Sequence, residues 1–175
     1  MSYTAPNKLL LPMRHSIDTT RDAWVALAAE PVGQLWPSAN LAIYTPLAIP
    51  ARVVVVSLWV ATGTGTVGNV DMALYDGSGA AVVSATAGAK TASTEQVFDV
   101  TDTVVGPGRY YIGLSASDAT TDLFYGGAPA APLCAAYGMY TETSAYPLPS
   151  TATFAIDHTL AMYPIMGVLL ETTVT

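Results

Sequence analysis

Residues Asn69–Gly88 read NVDMALYDGSGAAVVSATAG, and the fold turns on this stretch. Along its first half Val70, Met72 and Leu74 fall on one side of an extended chain, and Asp71, Ala73 and Tyr75 on the other. A helix would gather apolar residues every three or four positions. Period two instead marks a strand with one buried face and one wetter face. Asp76-Gly77-Ser78-Gly79 follows, residues that accept positive φ or bond their own backbone in a tight turn. AAVVSATAG then returns as the partner strand. A calcium loop would need several oxygen ligands at alternating short spacing, and here Asp76 has only Ser78 beside it. The expectation is a β-hairpin.

The same pattern extends outward. LAIYTPLAI (41–49), RVVVVSLWVATG (52–63), EQVFDV (95–100), RYYIGLSASD (109–118), DLFYGG (122–127), LCAAYGMY (133–140), ATFAI (152–156) and YPIMGVLLETTV (163–174) are further strand candidates, with prolines between strands or near their ends. In 52–63, Val54, Val56, Leu58 and Val60 share one face, and Val53, Val55 and Trp59 the other, as in a central strand covered on both sides. Tyr110, Ile112, Leu114 and Ala116 share a face of the 109–118 strand. Turn signals recur about every ten residues, the spacing of an all-β sandwich or barrel. About eight strands fit after Asn40, so the fold class expected is all-β, an antiparallel β-sandwich of jelly-roll type, with an immunoglobulin-type sandwich as the alternative. No fixed-period repeat is visible. The stretch 141–153, TETSAYPLPSTAT, reads as a long loop. Residues 39–175 form this β-sandwich domain, and residues 1–38, punctuated by Pro6, Pro12, Pro31 and Pro37, form an N-terminal extended arm. Within the arm, TTRDAWVALAAE (19–30) is either a short helix capped by Thr19 or Thr20 or an irregular segment laid over a sheet.

Composition narrows the function. The chain has 175 residues, 51% apolar and only 11% charged, against about 25% charged in ordinary soluble domains. Such a length can bury roughly 70% of the unfolded surface without staples. A skin of Thr, Ser, Ala and Gly suits a subunit covered by copies or partners. Net charge is −7, and the six cationic residues are scattered as Lys8, Arg14, Arg21, Arg52, Lys90 and Arg109. Nucleic acid and anionic membranes are therefore excluded as expected partners. Cys134 is the single cysteine, set among Leu133, Ala135 and Ala136, which predicts a buried, inert thiol. The apolar run Leu9–Leu11 is too short for a signal-peptide core, and no segment has the length of a membrane span. The expectation is a chain made in the cytoplasm without an ordinary signal peptide.

Chemical motifs fail on context. GTGTVG (63–68) has the dinucleotide spacing, but a period-2 strand follows where the pyrophosphate needs a helix N-terminus, which leaves a flexible hairpin loop. GPGRYYIG (106–113) lacks the Lys-Ser/Thr ending of a phosphate loop. Asp99/Asp102 and Asp118/Asp122 read as turn starters rather than cation sites. His15, His158 and Cys134 lie too far apart in sequence for a convincing zinc set. GLSAS (113–117) lacks the last glycine of the serine elbow. No catalytic, cofactor or metal residue is assigned, and the expectation is a protein that is not an enzyme. Tyr137, Tyr140 and Tyr146, in or beside loops, are core or interface residues, or else a sugar-stacking surface.

One resemblance is carried by turn and packing motifs. GNVDMALYDGSG (68–79), PGRYY (107–111), YPLPSTATF (146–154) and the closing PIMG (164–167) together resemble small virion structural proteins of tailed bacteriophages. The likeness spans residues 39–170, and Tyr146 stands where the pattern commonly has Phe. It implies a structural protein localised to a phage virion, most naturally a capsid decoration or cement subunit. The rival reading is a receptor- or glycan-binding module of a tail or head fibre. The partners implied are copies of the same chain, as a homotrimer, and other capsid or tail proteins. The arm residues Leu9, Leu10, Leu11, Trp24 and Trp36 are the expected interface.

Overall fold

The computed structural model describes residues 8–10, 32–125 and 131–171. The chain is all-β and antiparallel. β1 (Lys8–Leu10), β2 (Val32–Leu35), β3 (Ala42–Ile49), β4 (Val53–Ala61), β5 (Asn69–Asp76), β6 (Ala81–Ser84), β7 (Gly88–Ala89), β8 (Glu95–Val105), β9 (Gly108–Ala116) and β10 (Asp122–Tyr125) precede a short helix, α1 (Ala131–Ala136). β11 (Tyr140–Glu142) and β12 (Met166–Glu171) follow it. One sheet has four strands in the order β1-β12-β4-β8, and a second has six, ordered β11-β3-β9-β5-β6 with β7 also on β5. β10 and β2 pair separately.

One core cluster draws on both large sheets. Ile43 and Leu47 of β3, Met72 and Leu74 of β5, and Ile112 and Leu114 of β9 meet Val55, Leu58 and Val60 of β4, Phe98 of β8, and Val168 and Leu170 of β12. Each fully buried aliphatic side chain there contributes about 1.5–3 kcal/mol. The strand over Asn69–Asp76 keeps the expected alternation, with Val70, Met72 and Leu74 in this core. Its other face is not wet, because Ala73 and Tyr75 are buried in a second cluster roofed by Ala145, Leu148, Ala152 and Phe154. Of the stretch expected as a loop, Thr141 and Glu142 belong to β11, and residues 143–153 form a strap over the outside of the six-stranded sheet.

Several expectations need correction. In β4 the phase shifts: Val53 and Val55 share the core with Leu58 and Val60. The cause is a β-bulge, since β12 runs from Leu169 to Leu170 while β4 runs from Ser57 to Val55, leaving Val56 as the extra residue. Pro46 lies inside β3 and not near its end. β11 pairs only with Ala42, Ile43 and Tyr44, so beyond them β3 is bonded on one side only among the described residues, where a residue without an N–H is tolerated. LCAAYGMY is not one strand: α1 ends in a turn at Gly138, whose φ of +77° favours glycine, and β11 starts after it. ATFAI makes only an isolated bridge, Thr141 to Ala155. The loop after β4 is not a hairpin, for β4 and β5 belong to different sheets.

The residues taken as an arm join the body in two places. Lys8–Leu10 pairs with β12, Leu9 opposite Leu169, and Val32–Leu35 pairs with β10. The 19–30 segment lies outside the described residues.

Candidate functional site

Two polar centres hold loops to this body. The first surrounds Lys90, the residue after β7, whose side chain is fully buried. Its ammonium donates to the carbonyls of Gly63, at 3.1 Å, and of Gly65, and pairs with Asp122 Oδ1 at 3.0 Å. Asp122, at the start of β10, accepts the Gly65 N–H at 3.0 and 3.1 Å on its two oxygens. Desolvation pushes the Asp122 carboxyl upward. The bonds from Gly65 N–H and the ammonium outweigh it and hold the group below the usual carboxylate range. Gly63 and Gly65 are glycines for space: a Cβ on Gly65 would sit 2.9 Å from Asp122 Oδ1, and one on Gly63 2.7 Å from its Cγ. The glycine-rich loop therefore wraps an internal lysine, with carbonyls turned inward, where a phosphate loop would present N–H groups. The loop is tied down on several sides, in contrast to the flexible loop expected.

The second centre lies under the strap. Asp71, on the outer face of β5, accepts the Leu148 N–H at 2.8 Å on Oδ2. Its Oδ1 is buried without a partner among the described residues. Burial raises the Asp71 carboxyl, although the Leu148 bond opposes the shift. Tyr75 donates to Pro149 O at 2.7 Å and Tyr44 to Glu142 Oε2 at 2.6 Å, and the same Glu142 oxygen accepts Thr153 N–H at 3.0 Å. Desolvation drives both phenols well above their usual range, so they remain donors. The strap also adds backbone bonds to the 79–81 turn, Ala81 N to Ser150 O at 2.9 Å and Ala152 N to Gly79 O at 2.8 Å. Edge-on and stacked contacts link Tyr44, Tyr75, Tyr111, Tyr140 and Phe154, with centroids 4.6–5.5 Å apart.

Smaller ties repeat one local device. Asp76-Gly77-Ser78, Asp118-Ala119-Thr120 and Asp157-His158-Thr159 each turn a carboxylate oxygen back onto the N–H and the hydroxyl two residues on, at 2.6–2.9 Å. The hydroxyl bond is the main reason that all three carboxyls are lowered. The DGSG turn is such an Asx turn closing the β5–β6 hairpin.

The sequence-derived interface residues separate. Leu9 and Leu10 stand in β1. Leu11 and Trp24 fall outside the described residues. Trp36 is 1% exposed in the chain's own core, and its indole N–H donates to Leu41 O at 2.9 Å. It therefore cannot face a neighbouring molecule. Tyr140 is half-buried in the aromatic cluster and Tyr146 half-buried near Asp71, while Tyr137 is 55% exposed. Cys134 is buried in α1 and its thiol is raised by desolvation. His158 is exposed on the Asx turn. Among the described residues no cluster of three His, Cys, Asp or Glu could hold a metal ion, and no helix is long and apolar enough to cross a membrane. Sequence reasoning missed Lys90, Asp71 and Glu142, and it read Asp122 as a turn starter where the structure has it holding Gly65 and Lys90. The one available signal was a lysine embedded in Gly, Ala and Thr (AGAKTAST), an odd setting for a solvated cation.

Comparison with protein-family models, curated proteins and solved structures returned no match.

Proposed function

We propose that the chain is a structural subunit of a tailed-phage virion, a capsid decoration or cement protein that works by presenting surfaces and not by catalysis. The observation that carries the reading is the destination of the polar side chains. Lys90, Asp122, Asp71, Glu142, Asp118 and Asp157 all bond loop backbone or loop hydroxyls. These six side chains are committed to tying loops down, as a repeated building block requires. The motif resemblance over residues 39–170 supports the same assignment.

A jelly-roll sandwich is the finer architecture proposed. In its favour, the chain changes sheet between β3 and β4, β4 and β5, β7 and β8, and β8 and β9, the crossing habit of double-sheet Greek-key folds. Copies associate, with a trimer as the expected order, and bind other virion proteins. Nucleic acid and membrane are not partners in this reading. Of the three loop tyrosines that a receptor- or glycan-binding module would use, Tyr137 is exposed and Tyr140 and Tyr146 are half-buried against the chain itself.

The test is electron microscopy of purified, salt-washed virions labelled with an antibody to this chain. Regular labelling of the head is expected. Label confined to the tail would reject the capsid assignment, and unlabelled particles would reject the virion reading.

A further inference from the structure

The four-stranded sheet ends in two edges of opposite charge. Among the described residues β8 has β4 as its one sheet neighbour, and β1 has β12. β8 is eleven residues long. Its start is closed by Gln96, which donates to Ala89 O at 3.0 Å and accepts Thr91 N–H at 3.0 Å. From Val97 onward Phe98, Val100 and Val105 turn into the core, and the residues between them face outward. Val97 and Val104 are 49% and 53% exposed, and Asp99, Thr101 and Asp102 are exposed. The unpaired edge from Val97 to Val105, interrupted by the irregularity between Asp99 and Thr103, is a template for another strand. β8 carries Glu95, Asp99 and Asp102 and no cation. β1 carries Lys8 and no acidic residue.

We propose that β8 of one copy receives β1 of a second copy, head to tail, so that the four-stranded sheet continues from subunit to subunit. Two-fold β8–β8 pairing would set acids against acids, and like charges across strands destabilise. Acidic edge against cationic edge is the complementary arrangement. The contact is heterologous, so it closes into a ring where the rotation allows and otherwise propagates as an array. A three-residue strand gives a weak single contact, which repetition on a particle surface multiplies. The inference rests on the self-association proposed above and names the surface that carries it.

Sedimentation velocity on the full chain tests it with Lys8→Glu, the double variant Asp99→Lys/Asp102→Lys, and their equimolar mixture. The wild type should associate at low salt and dissociate at high salt. Each variant alone should associate roughly tenfold or more weakly, because like charges then face each other across the paired strands. The mixture should recover association, because each variant's edges then meet an opposite charge. Concentrating the wild type should also slow hydrogen exchange at amides between Val97 and Val105. Association of equal strength in every variant would overturn this surface and leave self-association standing. A wild type that stays monomeric to about 1 mM, weaker than about −4 kcal/mol, would overturn both.

Discussion

Asp71 shows what one buried carboxyl can do to a fold's pH response. Burial raises its pKa in the folded chain, so folding favours the neutral acid. In the unfolded chain the group titrates near its ordinary value, about 3.9. Below that value both states hold the proton, and the group costs nothing. As pH rises through the folded pKa the unfolded state releases the proton first, and stability falls until both states are ionised. Asp71→Asn retains the acceptor for Leu148 N–H and removes the titration. Denaturant melts should show the variant matching the wild type near pH 3 and exceeding it at neutral pH. A variant less stable than the wild type at neutral pH would contradict this origin of the shift. Lys90 makes the opposite case, a buried cation matched by carbonyls and one carboxylate. Lys90→Met leaves Asp122 and the two glycine carbonyls without their partner. Its cost should be about 3–5 kcal/mol, the range for breaking a buried pair by removing one side. A change under about 1 kcal/mol, the range of exposed pairs, would show that the cage contributes little.

At the scale of elements, the arm and the body are less separate than composition implies. Trp36 fills the core and β2 pairs with β10, although both lie before residue 38. Deleting residues 1–31 removes β1 and spares these contacts. Deleting 1–38 also removes Trp36, and Trp truncation in a core costs about 3–5 kcal/mol. Thermal unfolding should therefore be cooperative for the shorter deletion and strongly weakened for the longer. Equal melts would place the stabilising contacts upstream of Val32. Strand existence was legible because period-two alternation survives inside β5 and β9, whose inner faces meet one core. The bulge at Val56 was not legible, since an extra residue in an all-valine run leaves no mark on the pattern. Nor was α1 read: APLCAA shows no period over six residues, and Pro132 in its first turn was the one helix-start signal. The strap was visible as a loop, but the cover it provides comes from contacts distant in sequence, Asp71 with Leu148 and Tyr44 with Glu142.

On the scale of the whole molecule, two of the motifs weighed as ligand loops are ties. GTGTVG closes on Lys90 and Asp122, and DGSG closes on Asp76. The strap closes on Asp71, Tyr75 and Glu142. The proposed role as a stiff, repeated surface depends on these ties holding in solution. Native-state hydrogen exchange on the full chain measures that most directly, at the amides of Gly65, Leu148 and Thr153. If the loops are fixed to the body, these amides open with free energies approaching global unfolding, as core strands do. If they exchange at the near-unprotected rates of ordinary exposed loops, the molecule is not the rigid block described, and the structural reading of its polar groups fails.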